Sequence, residues 1–181
     1  MSVLPIVEIP DPRLRLVCAP VETIDAQVRQ LVTDMTDTMY AAHGIGLAAI
    51  QVGVAQRVVV IDLQERADEG EEADEKAEPV RNPRAFINPE ILSVSEETSR
   101  YSEGCLSIPE QYADVERPMR CRVTWLDVDG ARHEEDMDGL LSTCMQHEID
   151  HLNGVLFIDH ITRLKRDMLL KKLAKARKSA A

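Results

Sequence analysis

Aromatic side chains are scarce: Phe, Trp and Tyr together make up 3% of the 181 residues. The core of this chain therefore has to rest on aliphatic and methionine side chains. Long apolar runs are missing as well, and no stretch reaches the roughly 18 consecutive apolar residues of a membrane-spanning helix. The opening MSVLPIVEIPDPRLRL has no basic patch followed by an apolar segment, the mark of a secretory signal. A cytoplasmic protein that touches no membrane is the expectation. Cys18, Cys105, Cys121 and Cys144 include no CxxC pair, and disulfides are not expected in a reducing compartment. Thiolate as metal ligand or nucleophile remains open. Positive charge is in deficit too, with a net charge of −11, which argues against general binding to DNA or RNA because counterion release needs a basic surface. That deficit is uneven. From Arg163 onward eight Lys or Arg face one acid, Asp167, a net +7 that leaves −18 for the rest.

What is present is the composition of a globular protein, 44% hydrophobic and 29% charged. A chain of this length buries roughly 70% of the surface it exposes when unfolded, so one domain spanning 1–181 is expected. Residues 5–20 carry prolines and read as extended or turn-like. TIDAQVRQLVTDMTDTMYAAHG places Val28, Leu31, Val32, Met35 and Met39 at helical spacing after a Thr or Asp cap, with Gly44 as the stop. QRVVVID reads as a buried strand, and FINPEILSV and RVTWLDVDG as further strands, the latter turning into a partner at His133–Met137. Residues 64–79 hold eight acids and two bases with nothing apolar larger than alanine, the composition of an acidic surface loop. Helices are expected over about 139–153 and 162–176, the second opening the basic C-terminal segment 162–181. With no regular βαβ alternation, the pattern points to an α+β fold: mixed or antiparallel sheets around a central helix, and a C-terminal helix.

The central helix carries QHEIDHLNG. Residues four apart on a helix lie about 40° from one another, so His147 and His151 can chelate one ion from adjacent turns. Glu148, turned about 100° from His147, sits near the ion without having to ligate it. Two imidazoles to hold a metal and a carboxylate to handle protons on water is the equipment of a metal hydrolase; the bland alternative is a surface helix of solvated charges. The third ligand is not downstream. A metzincin-like pattern would need a histidine where Phe157 stands, and a thermolysin-like pattern a glutamate that ITRLKRDMLLKKLAKARKSAA lacks. Upstream, EGCLSIPE offers Cys105 in a polar turn after Gly104, and thiolate suits a borderline-soft divalent ion. Cys with two His leaves a fourth position open for water. In HGIGLAAIQVG, glycines permit close backbone approach and Gln51 can donate to a developing oxyanion, although a tight turn packed on the core reads equally well.

Together GIGLAAIQ, EGCLS and QHEIDHLNG resemble the three signature motifs of bacterial peptide deformylase, in order and spacing, and PDPRLRLVCAPVETID is similar to that family's opening. The EGCLS form and helical C-terminus resemble the Gram-negative type. The resemblance implies a metal-dependent hydrolase that removes the N-formyl group from the initiator methionine of nascent chains and releases formate. It implies Cys105, His147 and His151 as metal ligands, and Glu148 as general acid and base. Gln51 and the Leu106 N–H become oxyanion donors, and Ile45, Gly46, Glu103 and Gly104 line the substrate. It also implies Fe(II) as the cellular ion, with Zn(II), Ni(II) or Co(II) possible in purified protein, and docking of the basic C-terminal helix on the ribosome near the exit tunnel.

Helical spacing puts Leu140 and Cys144 on the face of His147, where they would line an apolar methionine pocket, although Leu141 and Met145 could be core by the same argument. Asp150 is expected to pair with Arg117 and steady the motif helix. Leu164, Met168, Leu169 and Leu173 fall at helical spacing, which suggests one apolar face on the last helix. Two rivals remain: a peptidase cutting internal bonds, disfavoured by the missing downstream ligand, and a noncatalytic zinc-stabilised module, disfavoured by Glu148 and the open position.

Overall fold

Val58, Val59, Val60 and Ile61 are all buried, which a strand achieves only when both faces are covered. In the computed structural model, which describes residues 2–64 and 80–180, they form β2 (Val58–Ile61), and a helix lies on each side. Val58 and Val60 join Val28, Met35 and Met39 of α1 (Ala26–Ala41), whereas Val59 and Ile61 join Cys144, Met145 and Ile149 of α2 (Gly139–Leu152). The acidic stretch expected as a loop lies, Gln64 apart, outside the described residues.

β2 pairs with β1 (Gly46–Ala48) and β3 (Arg84–Val94); β6 (Cys121–Leu126) and β7 (Arg132–Met137) complete a five-stranded sheet in the order β1-β2-β3-β6-β7. β4 (Thr98–Cys105) and β5 (Ile108–Pro118) form a separate two-stranded sheet. Every named strand pair is antiparallel, and the fold is α+β as expected. Pro89 interrupts β3 without ending it. Asn88 beside it takes φ 51°, the register shifts between Ile87 and Glu90, and the Asn88 amide exchanges two 2.8 Å hydrogen bonds with the backbone of Val21. A bulge is where a strand tolerates proline.

Four readings change. α1 starts as expected, with Asp25 Oδ1 accepting from Gln27 N and Val28 N at 2.9 and 3.0 Å, but ends at Ala41 before Gly44; His43, at φ 55°, makes the left-handed turn. The stretch for which a tight turn was one of two readings contains β1 and a 3-10 helix over Ala49–Val52. Cys105 ends a strand instead of sitting in a polar turn, because β4 and β5 are long strands whose polar residues mask the alternation. On α3 (Arg163–Ala180), Leu169 and Leu173 pack with Val7, Ile9, Ile108 and Phe157, whereas Leu164 and Met168 are exposed. Those two pairs are separate stripes, offset by about 140° around the helix, and one stripe satisfies the docking surface.

Methionine fills the space that aromatics do not: Met35, Met39, Met137 and Met145 are fully buried. The N-terminal segment ties the end of α2, Cys18 N donating to Leu152 O at 2.8 Å. Just beyond, Gly154 sits at φ +73°, where a Cβ would lie 2.5 Å from Arg15 O. Gly154→Ala is therefore expected to destabilise the protein by roughly 1–3 kcal/mol, read as a lower urea midpoint at unchanged slope.

Candidate metal centre and cavity

Residues 142–149 of α2 are all buried, so HEIDH is not on a solvated surface helix. His147, Glu148 and His151 are buried side chains in the interior, and each needs a partner or an ion. Cys105, at the end of β4, comes to meet them. Its Sγ lies 3.2 Å from His151 Nε2, and one ligand atom from each of Cys105, His147 and His151 lies within 4.8 Å of the others. His147 Nδ1 is 2.8 Å from Glu103 Oε2, which leaves Nε2 as the nitrogen free to ligate an ion and makes the imidazole more basic.

Two buried atoms in this cluster have no hydrogen-bond partner, Glu148 Oε2 and His151 Nδ1. Burial, reinforced by His147, holds His151 well below the ordinary imidazole range and so neutral, the form that binds metal. Burial also disfavours the charged form of His147, but the hydrogen bonds of Cys105 and Glu103 outweigh it and raise the group well above its usual value. A cation between thiolate and imidazoles would replace that proton. The set of one sulfur and two nitrogens fits a borderline divalent ion with an open position. Burial pushes the Glu148 carboxyl up to about 7, with His147 opposing and Glu103 reinforcing the rise. A carboxyl poised near neutrality suits proton transfer in both directions.

Glu103 is more than a wall residue. Its carboxylate takes a fork of two bonds from Arg117, 2.6 Å from Nε to Oε1 and 3.0 Å from Nη2 to Oε2, besides His147. Arg117 Nη1 reaches Asp150 Oδ2 at 2.8 Å, the pairing read from the sequence, and His160 Nε2 closes on the same oxygen at 2.7 Å. Burial raises both carboxyls, yet His147 and Arg117 on Glu103, and His160 and Arg117 on Asp150, hold them below their ordinary values of 4.5 and 3.8.

Gln51 is buried with its amide fixed in one sense. Ala48 N donates to Oε1 at 2.9 Å, so Nε2 points to Ser107 Oγ at 3.1 Å and Cys105 Sγ at 3.4 Å. Two backbone bonds brace this corner, Val7 N to Gln51 O at 2.7 Å and Ile9 N to Ser107 O at 3.0 Å. Leu106 lies in the turn between β4 and β5. A cavity of about 470 Å³ opens beside the cluster, walled by Ile45, Gly46, Leu106, Leu140, Cys144 and Glu148. Leu141 and Met145 face the core instead. Burial pushes the Cys144 thiol well up, so it lines the wall as a neutral group. Gly46 passes so close that a Cβ would stand 2.5 Å from Glu148 Oε1 and 2.8 Å from Cys144 Sγ. At Gly104 a Cβ would strike the Tyr112 ring at 2.5 Å, which puts Tyr112 on the rim.

Sequence reasoning missed His160, Ser107, the bracing by Val7 and Ile9, and the hold of Glu103 on His147. Only the last left a signal, an acid two residues before the candidate ligand.

The polypeptide deformylase family model matches residues 3–167. The peptide deformylase of Rhizorhabdus wittichii is 59% identical over 179 residues, covering 99% of this chain and 98% of that protein. That of Nitrobacter hamburgensis is 55% identical over 181 residues, covering 100% and 99%. Among solved structures, a peptide deformylase from Legionella pneumophila superposes with a TM-score of 0.86 at 41% identity, covering 99% of this chain and 98% of that one. One from Ehrlichia chaffeensis, in complex with actinonin, gives 0.84 at 42% identity, covering 97% and 98%.

The buried Glu103–Arg117–Asp150 chain is open to a double-mutant cycle. Arg117→Met, Asp150→Asn and the double variant should show a coupling of about 1–3 kcal/mol in urea unfolding; additive losses would mean the pair is not coupled. Depressed carboxyl values contribute stability that is complete above the ordinary carboxylate range and is lost as pH falls below it. The acid limb of the stability profile should therefore be shallower in Arg117→Met.

Proposed function

Because this chain belongs to the polypeptide deformylase family, we propose that Cys105, His147 and His151 hold a divalent ion and that the cavity beside them receives a formyl-methionyl peptide. The reaction is hydrolytic removal of the N-formyl group from a nascent polypeptide, with release of formate. Supporting this reading above all is one observation: a thiol and two imidazoles converge within 4.8 Å beside a buried carboxylate oxygen that has no partner. When bound, the ion supplies Lewis acidity that brings the pKa of water toward neutrality.

The remaining work falls to the chain's own residues. Glu148 takes a proton from the attacking water and delivers it to the departing amide nitrogen, which otherwise leaves poorly. Gln51 Nε2, held in orientation by Ala48, and the Leu106 N–H receive the negative charge that develops on the formyl oxygen. Glu103 keeps His147 in the tautomer that ligates through Nε2. Ile45, Leu140 and Cys144 offer an apolar pocket suited to a methionine side chain, and Gly46 and Gly104 line the wall along which the peptide backbone lies. Fe(II) is the cellular ion in this proposal; the donor set equally accepts Zn(II), Ni(II) or Co(II). A thiolate beside iron makes the enzyme oxygen-sensitive.

Formate release from a formyl-methionyl tripeptide, measured anaerobically with iron-loaded protein, tests the assignment. Glu148→Ala should lose about 10²–10⁴-fold in kcat and Gln51→Ala about 10²–10³-fold, with circular dichroism unchanged. Chelation should abolish release and anaerobic Fe(II) should restore it. Absence of release from folded, metal-replete protein would favour the noncatalytic module.

The substrate emerges from ribosomes, so a cytoplasmic location and docking of α3 on ribosomal RNA belong to the same proposal. No helix among the described residues is long and apolar enough to cross a membrane. α3 turns Leu169 and Leu173 to the core and leaves Lys165, Lys171, Lys172 and Lys178 exposed on an otherwise acidic protein. Co-sedimentation with ribosomes should weaken steeply between 50 and 200 mM salt, about 10-fold or more for a few phosphate contacts. It should also be lost in Lys171→Glu/Lys172→Glu; salt-insensitive binding would remove the docking role from α3.

A further inference from the structure

We propose that Gln64 is a positioning residue for the cavity wall, acting through the carbonyl of Gly44. This inference rests on the deformylase reading above and adds a determinant of substrate binding that lies outside the three motifs.

Immediately after β2, Asp62, a buried side chain, gathers three donors on one carboxylate. Gln64 N reaches Oδ1 at 2.9 Å, Asn82 N reaches Oδ2 at 2.8 Å, and the Tyr40 hydroxyl donates to Oδ2. Arg81 lies over the Tyr40 ring, 4.4 Å from its centroid. This anchoring holds Gln64 at φ 54°, a conformation that non-glycine residues seldom adopt, and so aims its side chain back toward the cavity. Gln64 Nε2 donates to Gly44 O at 2.9 Å. One peptide further along, Asp62 N donates to Ile45 O at 2.9 Å.

Two consecutive carbonyls are thus held from one three-residue segment. The next residue is Gly46, whose α-carbon lies against Glu148 Oε1 and Cys144 Sγ with no room for a Cβ. A wall packed this tightly has a single position, and its placement sets how a peptide backbone can lie between Gly46 and the cluster of Cys105, His147 and His151. The bonds of Gln64 end at Gly44 and Asp62, whereas Cys105, His147 and Glu148 are placed by β4, Glu103 and α2. Gln64 therefore acts on substrate binding, leaving the chemical step to the metal-site residues.

Gln64→Ala and Gln64→Glu test this with a formyl-methionyl tripeptide. Removing one hydrogen bond that orders the wall should raise KM about three- to tenfold, with kcat within about twofold and the urea midpoint near that of the wild type. Glutamate keeps the length of the side chain but not the donor, so Gln64→Glu should behave like Gln64→Ala. An unchanged KM in Gln64→Ala overturns the proposal. So does a wild-type KM in Gln64→Glu, which would assign the effect to the side-chain stem, or an equal fall of kcat and kcat/KM, which would place it in the chemical step. Wild-type formate release in the same assay separates this inference from the reading it rests on. Without that release the deformylase reading fails, whereas release with an unchanged KM in the variants overturns only the role of Gln64.

Discussion

A buried charge is tolerated only when its counter-charge is buried with it, and within five residues α2 carries two imidazoles and Glu148 into the interior with Asp150 half-buried beside them. The Arg117 guanidinium answers that constraint. Its planar fork takes both oxygens of Glu103, and its third nitrogen takes Asp150, an arrangement a lysine could not reproduce. Glu103 in turn holds His147, so β4, β5 and the motif helix are locked to one another through one side chain. The two-stranded sheet gains its place against α2 by the same bonds that orient the His147 ring.

Close approach is the second requirement. A cluster assembled from β1, the β4–β5 turn and α2 works only if the backbones come nearer than side chains normally allow, and glycine stands at those points. Gly46 lies against Glu148, and Gly44 against Leu106, with a Cβ-to-Cδ1 distance that would be 2.7 Å. Around this tight corner the N-terminal segment runs extended, so that its own N–H groups can donate to Gln51 O and Ser107 O. The prolines near the start of the chain are compatible with that path, because it needs only some of the backbone donors. Stability and site geometry therefore share the same bonds.

Much of the scaffold could be read from periodicity alone. Apolar positions every three or four residues marked α1, and the unbroken β-branched run marked β2 as a buried strand. β4 and β5 escaped notice because YSEGCLSIPEQYADVERP is rich in polar groups that find partners across the sheet or in the interior, and hydrophobic alternation is blind to a buried Glu103 or Arg117. The apolar face of α3 was drawn too wide for the opposite reason. Leu164 and Met168 have the right composition and spacing, but hydrophobicity does not say which stripe another element will cover.

The chain by itself determined which chemical groups were available and which of them were neighbours along one helix. His147 and His151 must share a face because the α-helix repeats every 3.6 residues or so, and no fold could separate them while that helix exists. Only the tertiary structure decided that Cys105 comes within reach of both imidazoles, that Glu103 turns to His147, that Asp150 meets His160 as well as Arg117, and that Gln64 reaches Gly44. Those pairs are 10 to 46 residues apart in sequence, and their meeting depends on strand register and on which faces pack together. Local propensity carries no information about either.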